Sequence, residues 1–239
     1  DEFNGVIINK QLLGDKVDQF YHALNELILL AKQQHKQLIW LTLGIEQSIH
    51  IKTATDIGFV FHNCLENEIT LILRLKKEAY APFVPTHSIG AGALILNDQQ
   101  QVLVIREKIA VYTGYKLPGG HIELGEKISS AIVREVFEET GVHSEFLSIQ
   151  GFASKKSYRF GKSNIYFICR LKAISNTINI QDIDEIAEAK WCDLSEFIAD
   201  EKNSYFVREI VKNCQHEQGL TLLTLAENDG PNQKHEVFF

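Results

Sequence analysis

A chain of 239 residues with 45% hydrophobic and 23% charged residues has the composition of an ordinary soluble globular protein, with room for one large domain or two small ones. Its net charge of −7 argues against nonspecific binding to nucleic acid or to an anionic membrane. An anionic ligand must therefore be drawn in by local positive charge and metal. No apolar run approaches the roughly 20 residues needed to cross a bilayer, and the start lacks the basic-then-apolar pattern of a signal peptide. Cys64, Cys169, Cys192 and Cys214 are far apart and show no CxxC spacing, which predicts free thiols in a reducing cytoplasm. The chain begins at Asp1 and contains no Met, which predicts a few residues upstream.

In chain order, residues 4–9 form a short expected strand and Gly14-Asp15 a turn. Apolar residues at helical spacing from Val17 to Ala31 predict a helix over 17–36. A strand over 38–43, a helix over 45–56 closed by Gly58, and strands over 59–64 and 69–75 complete a compact α/β unit over residues 1–80. Residues 76–85 hold two of the four prolines and are expected to be a linker. A second unit over 86–217 opens with a strand over 89–96, a turn at Asn97-Asp98 and a strand over 101–106 that should hairpin back. After a glycine turn and a helix come strands over 145–152, 165–171 and 187–192, then helices over 194–199 and 205–213. A polar tail over 218–239 is broken by the apolar run 220–225 and packs as a last helix or strand.

The most informative stretch is GGHIELGEKISSAIVREVFEETGV, residues 119–142. On a helix, Glu135, Glu138 and Glu139 project together, while Ile128, Ala131, Ile132 and Val136 make the opposite side apolar. Three carboxylates so close repel one another. A divalent cation among them makes the pattern intelligible, because carboxylate oxygens suit Mg²⁺ and Mn²⁺ and such ions are shared with substrate phosphates. Gly141 is suited to cap the helix C-terminus.

The string fits GX5EX7REUXEEXGU (U an aliphatic residue) at every specified position, and in this it resembles the Nudix hydrolases. Outside the box, Trp40-Leu41, Gly58-Phe59-Val60-Phe61-His62, KLPGGHIELGE and the strands around SNIYFICRL and EIAEAKW resemble one subgroup. That subgroup contains the plant ADP-ribose/NADH pyrophosphatases and the animal fibroblast growth factor antisense protein. The resemblance implies an α/β (α+β) chain: a small acetyltransferase-like N-terminal domain, silent as an acetyltransferase, then a Nudix α/β/α sandwich with a mixed sheet. One departure is Asn63 and Cys64, where members often carry a second His or an Ala.

The activity implied is Mg²⁺-dependent hydrolysis of the pyrophosphate in a nucleoside diphosphate linked to another moiety, foremost ADP-ribose or NADH. Dinucleoside polyphosphates, coenzyme A, capped RNA, and a non-catalytic ADP-ribose or NAD sensor are the alternatives. The resemblance makes Glu135, Glu138 and Glu139 metal ligands, helped by a backbone carbonyl at Gly119 or Gly120, with Mn²⁺ a possible substitute ion. Glu135 or Glu139 would accept the proton from water. Arg134 and Glu126, eight residues apart and so on roughly one helix face, would form an orienting salt bridge. A fourth carboxylate is sought among Asp182, Asp184, Glu185 and Glu188, of which Glu185 fits best. Lys155, Lys156, Arg159 and Lys162 form a basic cluster that either meets substrate phosphate or is a solvated loop. Tyr115, Tyr158 and Phe160 could stack on a base or simply pack. The partner implied is a small nucleotide, with a homodimer built on the N-terminal domain as an option.

Overall fold

The computed structural model describes residues 1–9, 16–109, 113–214, 219–223 and 236–239. The expected turn at Gly14-Asp15 lies outside them, as do residues 217 and 218. The chain divides into two compact units, Asp1–Pro85 and Thr86–Phe239. No helix among the described residues is long and apolar enough to cross a membrane.

The first unit has a four-stranded sheet in the order β1-β2-β4-β3, formed by β1 (Val6–Ile7), β2 (Leu38–Gly44), β3 (Val60–Cys64) and β4 (Glu68–Arg74). Helix α1 (Val17–Gln33) buries Phe20, Leu24, Ile28 and Ala31, a 3.6-residue stripe, on Ile39, Leu41, Leu43 and Leu71. It stops three residues before the expected end because His35 adopts a left-handed φ of 55°. The helix expected over 45–56 is broken: a 3₁₀ turn at Ile45–Gln47 precedes α2 (His50–Ile57), which Gly58 closes at φ 113°. The segment expected as a linker packs instead, since Ala79 and Ala81 are buried with Leu38 and Ile72 on the second sheet face.

The second unit is a seven-stranded mixed sheet in the order β11-β10-β7-β8-β5-β6-β9. Its strands are β5 (His87–Leu96), β6 (Gln101–Glu107), β7 (Ser144–Lys155), β8 (Ser163–Ala173), β9 (Ile186–Asp193), β10 (Leu220–Leu223) and β11 (Val237–Phe238). β5 and β8 run parallel and the other pairs antiparallel. The two-residue period of β5 sorts its side chains between two cores. Ala91, Ala93 and Ile95 meet Ile132 and Val136 of α3 (Ile128–Thr140) on one face. Leu94 lies on the other face with Phe197 of α4 (Leu194–Ala199) and Ile210 and Val211 of α5 (Tyr205–Cys214). The result is the α/β/α sandwich that the resemblance implies. The tail does not hang free: residues 220–223 and 237–238 add two strands to the sheet edge.

The β5–β6 hairpin departs from expectation. Asn97 accepts from the backbone N–H groups of Gln99 and Gln101 at 3.0 and 2.9 Å and tightens the turn, yet the strands pair only at Leu96 and Val102. Beyond that point residues 116–121 wedge between them. Ala93 N donates to Pro118 O at 2.8 Å and Ala91 N to Gly120 O at 2.9 Å, while Ile105 and Lys116 exchange both bonds at 2.9 Å. Backbone groups of a central strand need partners, and here the glycine turn supplies them.

Ile132 is fully buried between α3 and the sheet. Ile132→Ala is expected to lower the unfolding free energy by about 2–5 kcal/mol through lost transfer energy and a residual cavity. Urea denaturation with an unchanged m-value checks this.

Candidate active site

Helix α3 carries the acidic face, and its two ends are fixed by distant segments. At the C-terminus, Gly141 is left-handed at φ 72°, and a Cβ there would lie 2.1 Å from Asn179 O. The orphan carbonyls of the last turn are taken by a loop: Asn179 N donates to Thr140 O at 2.8 Å, and Gln181 N and Asp182 N donate to Glu138 O at 3.0 and 2.8 Å. The same loop brings Glu185 to the site. Asp182 accepts from Glu185 N at 3.1 Å, and Glu185 O accepts from Lys108 N at 2.8 Å.

Helical geometry separates the three glutamates. At about 100° per residue, Glu139 stands about 40° to one side of Glu135 and Glu138 about 60° to the other. Glu139 therefore turns towards the sheet. It is 4% exposed and accepts from Gly119 N at 2.6 Å. Gly119 has φ 143°, and a Cβ on it would lie 2.2 Å from Ala91 O, so only glycine can present that N–H. Glu135 lies against Gly120, where a Cβ would sit 2.6 Å from its carboxylate. Glu138 is the most exposed of the three.

Arg134 binds three carboxylates at once. It grips Glu126 with two bonds, 2.9 and 3.0 Å, and reaches Glu135 at 3.1 Å and Glu138 at 2.9 Å. The Glu126 bond, then the Glu135 and Glu138 charges, hold the guanidinium well above its ordinary pKa, while Arg134 holds Glu126 below the usual carboxylate range. Glu126 is not on the helix, as the eight-residue spacing suggested. It precedes the N-cap Lys127, and its carboxylate also accepts from Glu123 N at 3.1 Å. A turn at Gly125, with φ 81°, folds it back to Arg134. Glu139 receives no such cation. Burial, opposed by Lys116 and the Gly119 N–H and reinforced by Glu135 and Glu185, pushes it up to about 8. Burial also raises Glu135, against the pull of Arg134.

The glycine turn that Glu139 and Glu135 contact opens on a pocket of about 270 Å³ lined by Gly119, Gly120, Lys116, Arg159, Tyr158 and Glu185, among others. A second pocket of about 560 Å³, lined by Lys155, Ser204 and Phe206, shares Tyr158, Asn164 and Tyr166 with it. Among the described residues, no three His, Cys, Asp or Glu side chains stand at coordinating spacing, since Arg134 draws Glu135 and Glu138 to itself.

Comparison with known proteins decides the family. A sequence profile described as "NUDIX domain" matches residues 86–214, and one described as "Nudix hydrolase domain" matches residues 1–75. "Nucleoside diphosphate-linked moiety X motif 6" of Xenopus laevis is 42% identical over 154 residues, which cover 63% of this chain and 70% of that protein. The chain belongs to the Nudix hydrolase family. The Homo sapiens protein of the same name is 32% identical over 220 residues, covering 89% of this chain and 69% of its own length. "Nudix hydrolase 8" of Arabidopsis thaliana is 36% identical over 203 residues, 83% of this chain; the chain spans 55% of that plant relative.

Around the Nudix box, the remaining candidates sort by environment. Of the four acids considered beyond the box, Glu185 lines the pocket. Glu188 pairs with Arg106 at 2.7 Å across β6 and β9, and Asp182 serves the loop turn. Gly120 O already accepts from Ala91 N, which leaves it one free acceptor position. Arg159 and Tyr158 line the pocket, and Lys155 and Arg159 lie over the Tyr158 ring at 5.1 and 5.5 Å. Lys156 is exposed and lines neither pocket; it is Lys155, one residue earlier at the end of β7, that lines the larger one. Tyr115 is engaged by Lys190 at 4.0 Å and by Arg106, and Phe160 is almost wholly exposed, so neither joins the site. Lys116, Asn164 and Tyr166 are pocket residues that the sequence reading missed. Lys116, ion-paired to Glu107, stands two residues before the glycine turn, and that adjacency was the one available signal.

The raised Glu139 carries a stability consequence for metal-free protein. The folded state keeps its proton between about pH 4.5 and about 8 while the unfolded chain releases it, so the unfolding free energy falls as pH rises through that window, on the order of 1 kcal/mol per pH unit. Urea titrations in chelator at several pH values measure the slope. Glu139→Gln flattens it.

Proposed function

We propose that this chain hydrolyses the pyrophosphate bond of a nucleoside diphosphate linked to another moiety, with ADP-ribose or NADH as the leading substrates. One observation carries the reading: Glu139 and Glu135 lie directly against Gly119 and Gly120, and those two glycines line one pocket with Glu185, Lys116 and Arg159. The names of the two vertebrate relatives point to the same substrate class.

The donor set suits a hard divalent cation, Mg²⁺ or Mn²⁺. It consists of carboxylate oxygens and turn carbonyls with no soft ligand, and among the described residues the buried Glu139 has a backbone N–H as its hydrogen-bond partner. Glu135, Glu139 and Glu185, with Glu138 alongside and a carbonyl at Gly119 or Gly120, would hold it. Bound there, the ion neutralises phosphate charge and polarises the phosphorus under attack. Arg159 and Lys116 bind diphosphate oxygens and Tyr158 flanks the linked group. Hydrolysis makes one P–O bond from water and breaks the anhydride P–O bond; in this reading Glu135 or Glu139 takes the water proton. Arg134 orients Glu135 and Glu138 and does not itself react. The larger pocket gives the nucleoside or the linked moiety its room.

An Mg²⁺-supplemented panel of ADP-ribose, NADH, diadenosine polyphosphates, coenzyme A and capped RNA, with products resolved, tests the proposal. Turnover of a pyrophosphate-linked nucleotide is expected, abolished by chelator, with Glu139→Gln and Glu138→Gln each reducing kcat by about 10²-fold or more while near-UV circular dichroism is kept. Tight ADP-ribose binding with no hydrolysis anywhere on the panel would replace the enzyme with a sensor.

A further inference from the structure

The first turn of α3 is capped from the far end of the chain. The side chain of its own N-cap residue, Lys127, does not cap the helix, and the first N–H groups of any helix need outside acceptors. Glu236 supplies them. Its carboxylate accepts from Ile128 N at 2.6 Å, Ser129 N at 3.3 Å and Ser129 Oγ at 2.5 Å. A negative charge there also complements the helix dipole.

Glu236 is itself held in place by the residues that follow it. Val237 and Phe238 pair with Leu223 and Leu222, and Phe239 exchanges backbone bonds of 3.0 and 2.7 Å with Thr221. The Phe238 ring lies 5.8 Å from that of Phe146, in the core cluster that contains Ile132 and Val136. The C-terminal segment therefore meets α3 at its first turn through the cap, and its Phe238 joins the core cluster that Ile132 and Val136 of α3 also enter. With the 179–182 loop holding the last turn, α3 is clamped at both ends by segments remote in sequence.

We propose that Glu236 is a positioning residue of the active site: by fixing the first turn of α3 it sets the orientation in which Arg134, Glu135 and Glu139 meet the glycine turn. The link is mechanical. Arg134 must reach back to Glu126, just before the helix, while Glu139 must meet Gly119 N at 2.6 Å. A frayed first turn loosens the Glu126 anchor, and small misplacements of a reacting constellation are costly. The kinetic arm rests on the hydrolase reading above; the binding and exchange arms do not.

The test uses the full chain with Glu236→Ala, Glu236→Gln, Ser129→Ala and the Glu236→Ala/Ser129→Ala double variant. Three readouts apply: amide exchange at residues 128–131, Mn²⁺ affinity of substrate-free protein by electron paramagnetic resonance, and kcat and KM on the best substrate of the panel. Glu236→Ala is expected to raise exchange in that turn, weaken Mn²⁺ binding several-fold, and lower kcat about tenfold with KM within about twofold. Glu236→Gln keeps one acceptor and should lose less, and the double variant should add little to Glu236→Ala. A lowered Tm with kcat and Mn²⁺ affinity at wild-type values would make the cap merely structural and overturn the proposal. Should Glu236→Ala fail to fold, Glu236→Gln and Ser129→Ala decide it, and wild-type values in both would overturn it. If no substrate is turned over, the hydrolase reading fails while exchange and Mn²⁺ affinity still judge the cap.

Discussion

The hydrogen bond from Gly119 N to Glu139 ties together the two halves of the site. It joins a turn that no side chain could occupy to a carboxylate buried at the helix–sheet junction. The turn is in that place because Ala91 and Ala93 donate their N–H groups to Gly120 and Pro118 where β5 and β6 part. The helix is in its place because Ile132 and Val136 fill the space above the same strand. Sheet pairing, core packing and site geometry thus converge on a single contact, and displacing any one of them would strand a buried carboxylate without a partner, a costly state.

Charge is distributed unevenly around that contact. Arg134 answers Glu126, Glu135 and Glu138 together, and its bidentate grip on Glu126 fixes its plane. Among the described residues nothing comparable answers Glu139; Lys116, whose charge opposes the shift, is shared with Glu107. One guanidinium set against Glu126, Glu135 and Glu138 also leaves this face of α3 with an excess of carboxylate over cation. That imbalance is what a divalent ion relieves, and it explains why the acidic face is tolerable as a unit although like charges at helical spacing disfavour a helix.

Much of this was legible in residue order, and the failures share a cause. Period and glycine placement located α3, its Gly141 cap and its core stripe, because these depend on residues within one or two turns, whereas the Arg134–Glu126 pair rested on the resemblance and forms through the turn at Gly125. What the sequence hid was set by partners far along the chain. The hairpin of β5 and β6 looked complete from its Asn97 turn, and only the wedge of residues 116–121 parts it. Glu236 carries no local sign of being a helix cap, since its partners Ile128 and Ser129 lie more than a hundred residues away. Lys155 and Lys156 are indistinguishable as letters; β7 ends between them, and Lys155 lines the larger pocket.

The net charge of −7 matters less to a ligand than the local charges of the smaller pocket, where Lys116 and Arg159 stand beside Glu107 and Glu185. Exposed charges more than about 8–10 Å apart are largely screened at physiological ionic strength. A phosphate group inside the smaller pocket therefore feels chiefly the charges that line it. Lys116 projects from the residues just before the glycine turn and Arg159 from the loop joining β7 to β8, so the two cations reach the pocket from different parts of the chain. Lys155 continues the positive wall into the larger pocket across the Tyr158 ring. With Glu135 and Glu139 of α3 against the glycine turn that lines this pocket, an extended anion carrying its own cation fits this charge pattern, and a bare anion does not. The requirement couples the two ligands: the diphosphate and the dication each supply the charge that makes the other's site favourable, so each should tighten the other's binding by the same factor.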